Sequence, residues 1–150
     1  MTTDARPSLT TVEKAALLLE VDLFHDVPSD ALAELAARME EGSHAPGDVL
    51  LEPGAPDVRL WVVLSGRVRV GREADGATEH GPGAAVGLLA LLGVVDDESV
   101  IVDEPCRTLS VTPEDYLDAL ADNPAFALAN LRALGRRLRA SEGRPTRPPT

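Results

Sequence analysis

Over residues 46–92 the chain alternates short apolar or β-branched runs with glycines. Val49-Leu50-Leu51 precedes Pro53-Gly54, Leu60-Trp61-Val62-Val63-Leu64 precedes Ser65-Gly66, and Val68-Arg69-Val70 follows. Gly81-Pro82-Gly83 then opens an apolar run through Val86-Gly87. Short strands with turn signals at this spacing predict a small closed all-β body. Asp75-Gly76, between the strand 68–72 and a weaker partner, is a hairpin signal. Ser99-Val100-Ile101-Val102 and Arg107-Thr108-Leu109-Ser110-Val111 predict two further strands, so the β region extends from about Ser43 to Val111.

Helical spacing flanks this region on both sides. Thr10-Thr11-Val12-Glu13 has the spacing of a capping box, with a helix running on through Leu17, Leu18 and Leu19. Leu32, Leu35, Ala36 and Met39 fall on one face of a second helix, with Ser29 as its cap and Gly42 as its stop. Thr112-Pro113-Glu114-Asp115 places a hydroxyl cap, a proline and acids at a helix start, and Asn123-Pro124 opens the last helix. There Ala127, Leu131, Leu134 and Leu138 form an apolar seam that docks either on the molecule's own core or on a second chain. Residues 141–150 are rich in proline and poor in apolar side chains, which predicts a disordered tail. The expected organisation is a flexible N-terminus over 1–9, one domain over 10–140 and that tail. The fold class is α+β: an antiparallel jelly-roll-like β-roll between N-terminal helices and a C-terminal helix pair.

Charge and composition narrow the function. Twenty-five acidic against 14 basic residues give a formal net charge of −11, which argues against general affinity for nucleic acid or anionic membrane. The N-terminal residues lack the apolar core of a secretory signal, and the longest apolar run, 84–95, is too short to span a bilayer, so the expected location is cytoplasmic. Cys106 is the one cysteine and reads as a small buried hydrophobe.

Several segments, in order and spacing, resemble the cyclic nucleotide-binding domain family over about residues 10–139. Leu23-Phe24 with Val27-Pro28 and Leu32 resembles the family's entry helices, and Pro46-Gly47-Asp48-Val49-Leu50 its first β turn. Residues 61–70 resemble its most recognisable strand pair. Gly81-Pro82-Gly83 leading to Val86-Gly87 resembles the entry to its phosphate-binding cassette. Thr112-Pro113-Glu114-Asp115-Tyr116, then Asn123-Pro124, resembles its hinge and final helix. On this resemblance Gly87, Leu88, Leu89, Asp96, Asp97 and Ser99 make up the candidate ligand site. Gly87 has two readings: plain turn geometry, or close approach of the backbone to a phosphate.

The resemblance also implies two polar ligand contacts that are missing here. The residue after the cassette glycine is typically a glutamate that holds the ribose hydroxyl; the matching residue is Leu88. An arginine that pairs with the cyclic phosphate is followed by small or hydroxyl residues; the matching stretch is Asp96-Asp97-Glu98-Ser99. No basic residue lies between Arg72 and Arg107. Arg59, Arg69 and Arg107 read as solvated strand positions.

The expected function is therefore a non-enzymatic regulatory or scaffold module that binds cyclic AMP or cyclic GMP weakly or not at all. The alternative is a genuine sensor of a cyclic nucleotide or other small ligand, signalling to a partner in trans. A protein partner is expected, as is a homodimer through the last helix as one form of it. The chain stops about ten residues beyond the last helix, so a DNA-reading head is not expected, and nucleic acid is not an expected partner. His25, His44 and His80 show no metal-ligand spacing, the run Asp96-Asp97-Glu98 has no EF-hand pattern, and no catalytic constellation stands out. No metal and no cofactor are expected.

Overall fold

A computed structural model describes residues 8–72, 76–95 and 97–142. The order of elements is α1 (Thr11–Leu18), a 3-10 turn (Asp22–Phe24), α2 (Ser29–Arg38), β1 (Glu40–His44), β2 (Val49–Leu51), β3 (Leu60–Arg72), β4 (Gly76–His80), β5 (Ala85–Val86), α3 (Leu88–Leu91), β6 (Glu98–Val111), α4 (Pro113–Asp122) and α5 (Pro124–Glu142). All strand pairs are antiparallel, in the order β1-β6-β3-β4, with β2 also on β6 and β5 on β3. The architecture is the α+β roll that the pattern predicts.

The predicted capping box is present. Glu13 N–H donates to Thr10 Oγ1 at 3.1 Å, and Thr10 N–H donates back to Glu13 Oε1 at 3.0 Å. Just ahead of it, Leu9 N–H donates to both Glu41 oxygens at 3.1 Å, joining the chain to β1. Asp115 N–H donates to the Thr112 hydroxyl at 3.2 Å and so opens α4 as its sequence predicts.

The second helix departs from expectation at both ends. Ser29 is its first residue, not its cap, and Pro28 precedes it. The helix ends at Arg38, where Met39 turns extended, and Gly42 lies inside β1. Pairing of residues 40–44 with β6 satisfies a row of backbone groups that one more helical turn would leave facing the sheet edge. Gly42 serves that strand by leaving room: a Cβ there would lie 2.8 Å from His44 Nε2.

The strands are longer and fewer than the glycine spacing predicts. Residues 60–72 are one strand with irregular register around Ser65 and Arg67, and 98–111 are another. Gly66, at φ +85°, lets the bulge close against β6, where a Cβ would come within 2.2 Å of Pro105 O. Pro105, without an N–H, stands between the register pairs Arg67↔Glu104 and Ser65↔Arg107. The hairpin is present as Arg72↔Gly76; Asp75 lies outside the described residues.

Alternation along β3 and β6 divides the core in two. Leu60, Val62, Leu109 and Val111 pack on the helices with Leu18, Phe24, Leu32, Leu35, Tyr116 and Phe126. Val63, Val68, Val100, Val102 and Cys106 form a second cluster with Leu51 and Val86. Burial pushes the Cys106 thiol pKa up, in keeping with a packing role.

The last helix docks through Phe126, Ala129, Asn130 and Ala133, all buried. Phe126 meets Phe24 and Tyr116 edge-on, at 6.1 and 5.9 Å between ring centroids. Asn130 Nδ2 donates to Leu23 O at 3.1 Å, and the Tyr116 hydroxyl donates to Asn130 Oδ1. α5 runs on to Glu142, taking in the first two residues of the segment read as tail; residues 143–150 lie outside the described residues.

Candidate functional site

Gly87 sits between β5 and α3 at φ +92°. A Cβ there would lie 2.5 Å from Arg59 O and 3.7 Å from Trp61 Cδ1. Conformation and close approach together require glycine whether or not a ligand is bound. Leu88, next in the chain, is 5% exposed and belongs to the helix-facing core.

Gly87, Leu88 and Leu89 line a cavity of about 560 Å³. Val70, Arg72, His80, Ala85, Val86 and Glu98 line it from the strands, and Leu134, Arg137 and Leu138 from α5. Half of the predicted seam thus faces the predicted cassette. Leu134, half-buried, also packs against the helix-facing core, Ala127 is half-buried, and Leu131 and Leu138 are 66% and 61% exposed. The fully buried docking face, Phe126, Ala129, Asn130 and Ala133, is a neighbouring stripe of the same helix.

Asp97 and Ser99 do not join this site. They line a separate cavity of about 470 Å³ with Gly71, Gly76 and Ala77, and Arg72 reaches both cavities. Strand alternation is the reason: on β6, Ser99 faces away from the side shared by Glu98, Val100 and Val102. Asp96 lies outside the described residues.

Glu98 is the polar residue that the candidate list leaves out. It is 8% exposed and stands directly across β3/β6 from Arg72. Burial pushes its carboxyl above the usual carboxylate range; Arg72 draws it back and Asp97 adds to the rise. Arg72 and Arg137 are likewise unanticipated in the cavity. Arg137 Nε lies 3.7 Å from Asp22 Oδ2. The signal for Glu98 and Arg72 is in the chain: Glu98-x-Val100-x-Val102 and Val68-x-Val70-x-Arg72 put both on the inward side of a strand.

Arg59, just ahead of β3, and the strand residues Arg69 and Arg107 are engaged elsewhere. Arg59 reaches Glu40 at 3.0 Å, Arg69 reaches Asp103 at 3.4 Å and Arg107 reaches Glu41 at 3.5 Å. Among the described residues, no group of three or more histidines, cysteines, aspartates or glutamates is placed to hold a metal ion. No described helix is long and apolar enough to cross a membrane.

Comparison with known proteins agrees with this geometry. Residues 41–123 match the model of the cyclic nucleotide-binding domain. The CRP-like cAMP-activated global transcriptional regulator of Mycobacterium tuberculosis is 28% identical over 130 residues, covering 82% of this chain and 58% of that protein. This chain therefore spans little more than half the length of that relative. The solved N-terminal domain of a transcriptional regulator from Streptomyces coelicolor is 30% identical, with a TM-score of 0.68, over 84% of this chain and 92% of that one. The Thermus thermophilus catabolite activator protein is 27% identical, with a TM-score of 0.66, over 81% and 60%. With transcriptional regulators among its relatives, the expected exclusion of nucleic acid as a partner finds no support. On the match over residues 41–123 and the shared fold, the chain belongs to the cyclic nucleotide-binding domain family.

Proposed function

We propose that the chain is a non-enzymatic, cytoplasmic regulatory or scaffold module that binds cyclic AMP and cyclic GMP weakly or not at all and acts through a protein partner. The observation that carries this reading is the buried Glu98 carboxylate in the wall of the Gly87 cavity. A cyclic phosphate is an anion, and a carboxylate here repels it where the family resemblance implies an arginine. Losing a desolvated, charge-assisted pair costs about 2–5 kcal/mol. That is roughly 30-fold to several-thousand-fold in affinity. Leu88 compounds the loss, since its side chain belongs to the core and offers nothing to a ribose hydroxyl. Thermal melts with millimolar cyclic AMP or cyclic GMP test the reading: no shift in midpoint supports it, because a ligand far above its Kd raises stability by mass action.

A second reading, a genuine cyclic nucleotide sensor, draws on Arg72 and Arg137, which line the same cavity as Gly87, and on the cAMP activation named for the M. tuberculosis relative. A midpoint rise of several degrees with one nucleotide and not the other would favour it.

The exposed seam suggests how a partner is held. Leu131 and Leu138 offer an apolar stripe to a second helix, and a second copy of this chain presents the same stripe in return. Such a contact would also cover the α5 side of the cavity, through Leu134 and Leu138.

A further inference from the structure

We infer that the cavity walled by Leu51, Val58 and Ala90 binds a small organic cation, a primary ammonium on an apolar body, with the Glu98 carboxylate as its counter-ion. This cavity is distinct from the one behind Gly87, with which it shares, among the described residues, Glu98 alone. The inference goes beyond the reading above and does not rest on it.

The cavity has a volume of about 380 Å³, within the range of small-molecule pockets. Leu51, Val58, Ala90 and Val95 give it apolar walls continuous with the second core cluster. The charged residues among its described lining are both carboxylates: Glu52, which is exposed, and Glu98, which is 8% exposed. Among the described residues, no hydrogen bond or ion pair engages the Glu98 side chain, and Arg72 across the sheet acts on it only as a more distant charge. A buried carboxylate without a bonded partner is unfavourable, and a cation seated against it offsets that cost.

The lining discriminates among cations. Hard metal ions take about six or more oxygens, and no described group of three or more metal-ligating side chains is placed to hold one. Quaternary ammonium ions are held by aromatic faces, and none is among the described lining residues. A primary ammonium needs a carboxylate to accept its N–H groups and apolar walls for its carbon body, and both are present. A cavity of about 150 Å³ holds a benzene ring, so this one has room for a ring and a short ammonium-bearing arm.

The test is calorimetric titration of the full chain with phenethylamine, and with phenethyl alcohol as its neutral counterpart, in about 0.15 M salt to screen surface attraction. The expected result is amine binding with a dissociation constant of about 1 mM or tighter, and no heat from the alcohol. Glu98→Gln, which keeps the volume, should weaken amine binding at least about tenfold. Ala90→Leu, which keeps the charge and fills the space, should abolish it, and Glu52→Gln should change it by about twofold or less. Amide resonances of Gly54, Gly93 and Val95 should move when the amine is added to isotope-labelled wild type. Thermal melts establish that each variant is folded; should Glu98→Gln not fold, Ala90→Leu and the resonance shifts decide. No amine binding at about 10 mM overturns the inference, as does equal binding of the alcohol. Affinity that persists in a folded Glu98→Gln or Ala90→Leu, or shifts confined to other residues, means adventitious attraction to the acidic surface and overturns it too.

Discussion

The imidazole of His44 stands edge-on to the indole of Trp61, with ring centroids 5.4 Å apart and planes at 82°. His44 Nε2 is 2.9 Å from Thr108 Oγ1, and burial holds its pKa below the ordinary histidine value, with Asp48 opposing the shift. Trp61 is the sole tryptophan, and its Cδ1 lies 3.7 Å from where a Cβ on Gly87 would be. The protein therefore carries its own optical reporter between a titrating ring and the candidate site.

Protonation of His44 should change Trp61 emission with a midpoint below about 6.5, the unperturbed histidine value. The unfolded chain binds this proton at higher pH than the folded one, so stability from His44 is fully present above about 6.5. It is lost as pH falls from there toward the lower folded value. Fluorescence titration of wild type and His44→Gln checks both: the variant should lose the emission change and show a flatter stability profile across that window.

Glu98 has the opposite dependence. Its folded pKa is raised, so its contribution is fully present below the unfolded carboxylate value of about 4.3 and is lost as pH rises through the folded value. Glu98→Gln should melt above wild type at neutral pH, with the gap closing on acidification. A gap that stays constant with pH would mean that the carboxylate's ionisation is not what separates the two proteins.

Two glycines with similar backbone angles should respond differently to alanine. Gly83, at φ +89°, has nothing within 4 Å of an added Cβ, so Gly83→Ala meets only the left-handed penalty of about 1–2 kcal/mol. Gly87→Ala adds a collision with Arg59 O and should cost roughly 3 kcal/mol or more. Urea denaturation of the two variants measures the difference directly.

The two faces of α5 separate folding from association. Phe126→Ala empties a fully buried site and should cost about 3–5 kcal/mol. Leu131→Glu and Leu138→Glu alter exposed positions and should change monomer stability by no more than about 0.5 kcal/mol. Light scattering should show that either of these lowers the mass of a wild-type dimer while the fold persists. Unfolding of Leu131→Glu would instead assign the seam to the protein's own core.

Most of the fold was legible because its signals are local. The capping box at Thr10, the hydroxyl–proline start at Thr112 and the apolar face of α2 each depend on residues a turn apart. What escaped was set by distant partners. Gly42 ends no helix because β6 claims residues 40–44, and Ser65-Gly66 divides no strand because β6 runs past it with a matching irregularity at Pro105. In the site, Gly87, Leu88 and Leu89 follow from the resemblance of Gly81-Pro82-Gly83 and Val86-Gly87 to the entry of the family's phosphate-binding cassette. Arg137 could not be, since it reaches the cavity from a helix 50 residues downstream through the docking of Phe126 and Asn130 on the 3-10 turn. Glu98 and Arg72 were within reach of strand alternation, which separates Glu98 from Asp97 and Ser99 within one acidic run.

In the proposed function, the carboxylate in the cavity behind Gly87 stands where a cyclic nucleotide needs a cation. Isothermal titration of the wild-type protein with cyclic AMP and cyclic GMP should give no binding heat at tens of micromolar for either nucleotide. Submicromolar binding of either one would mean that the cavity accepts the cyclic phosphate after all.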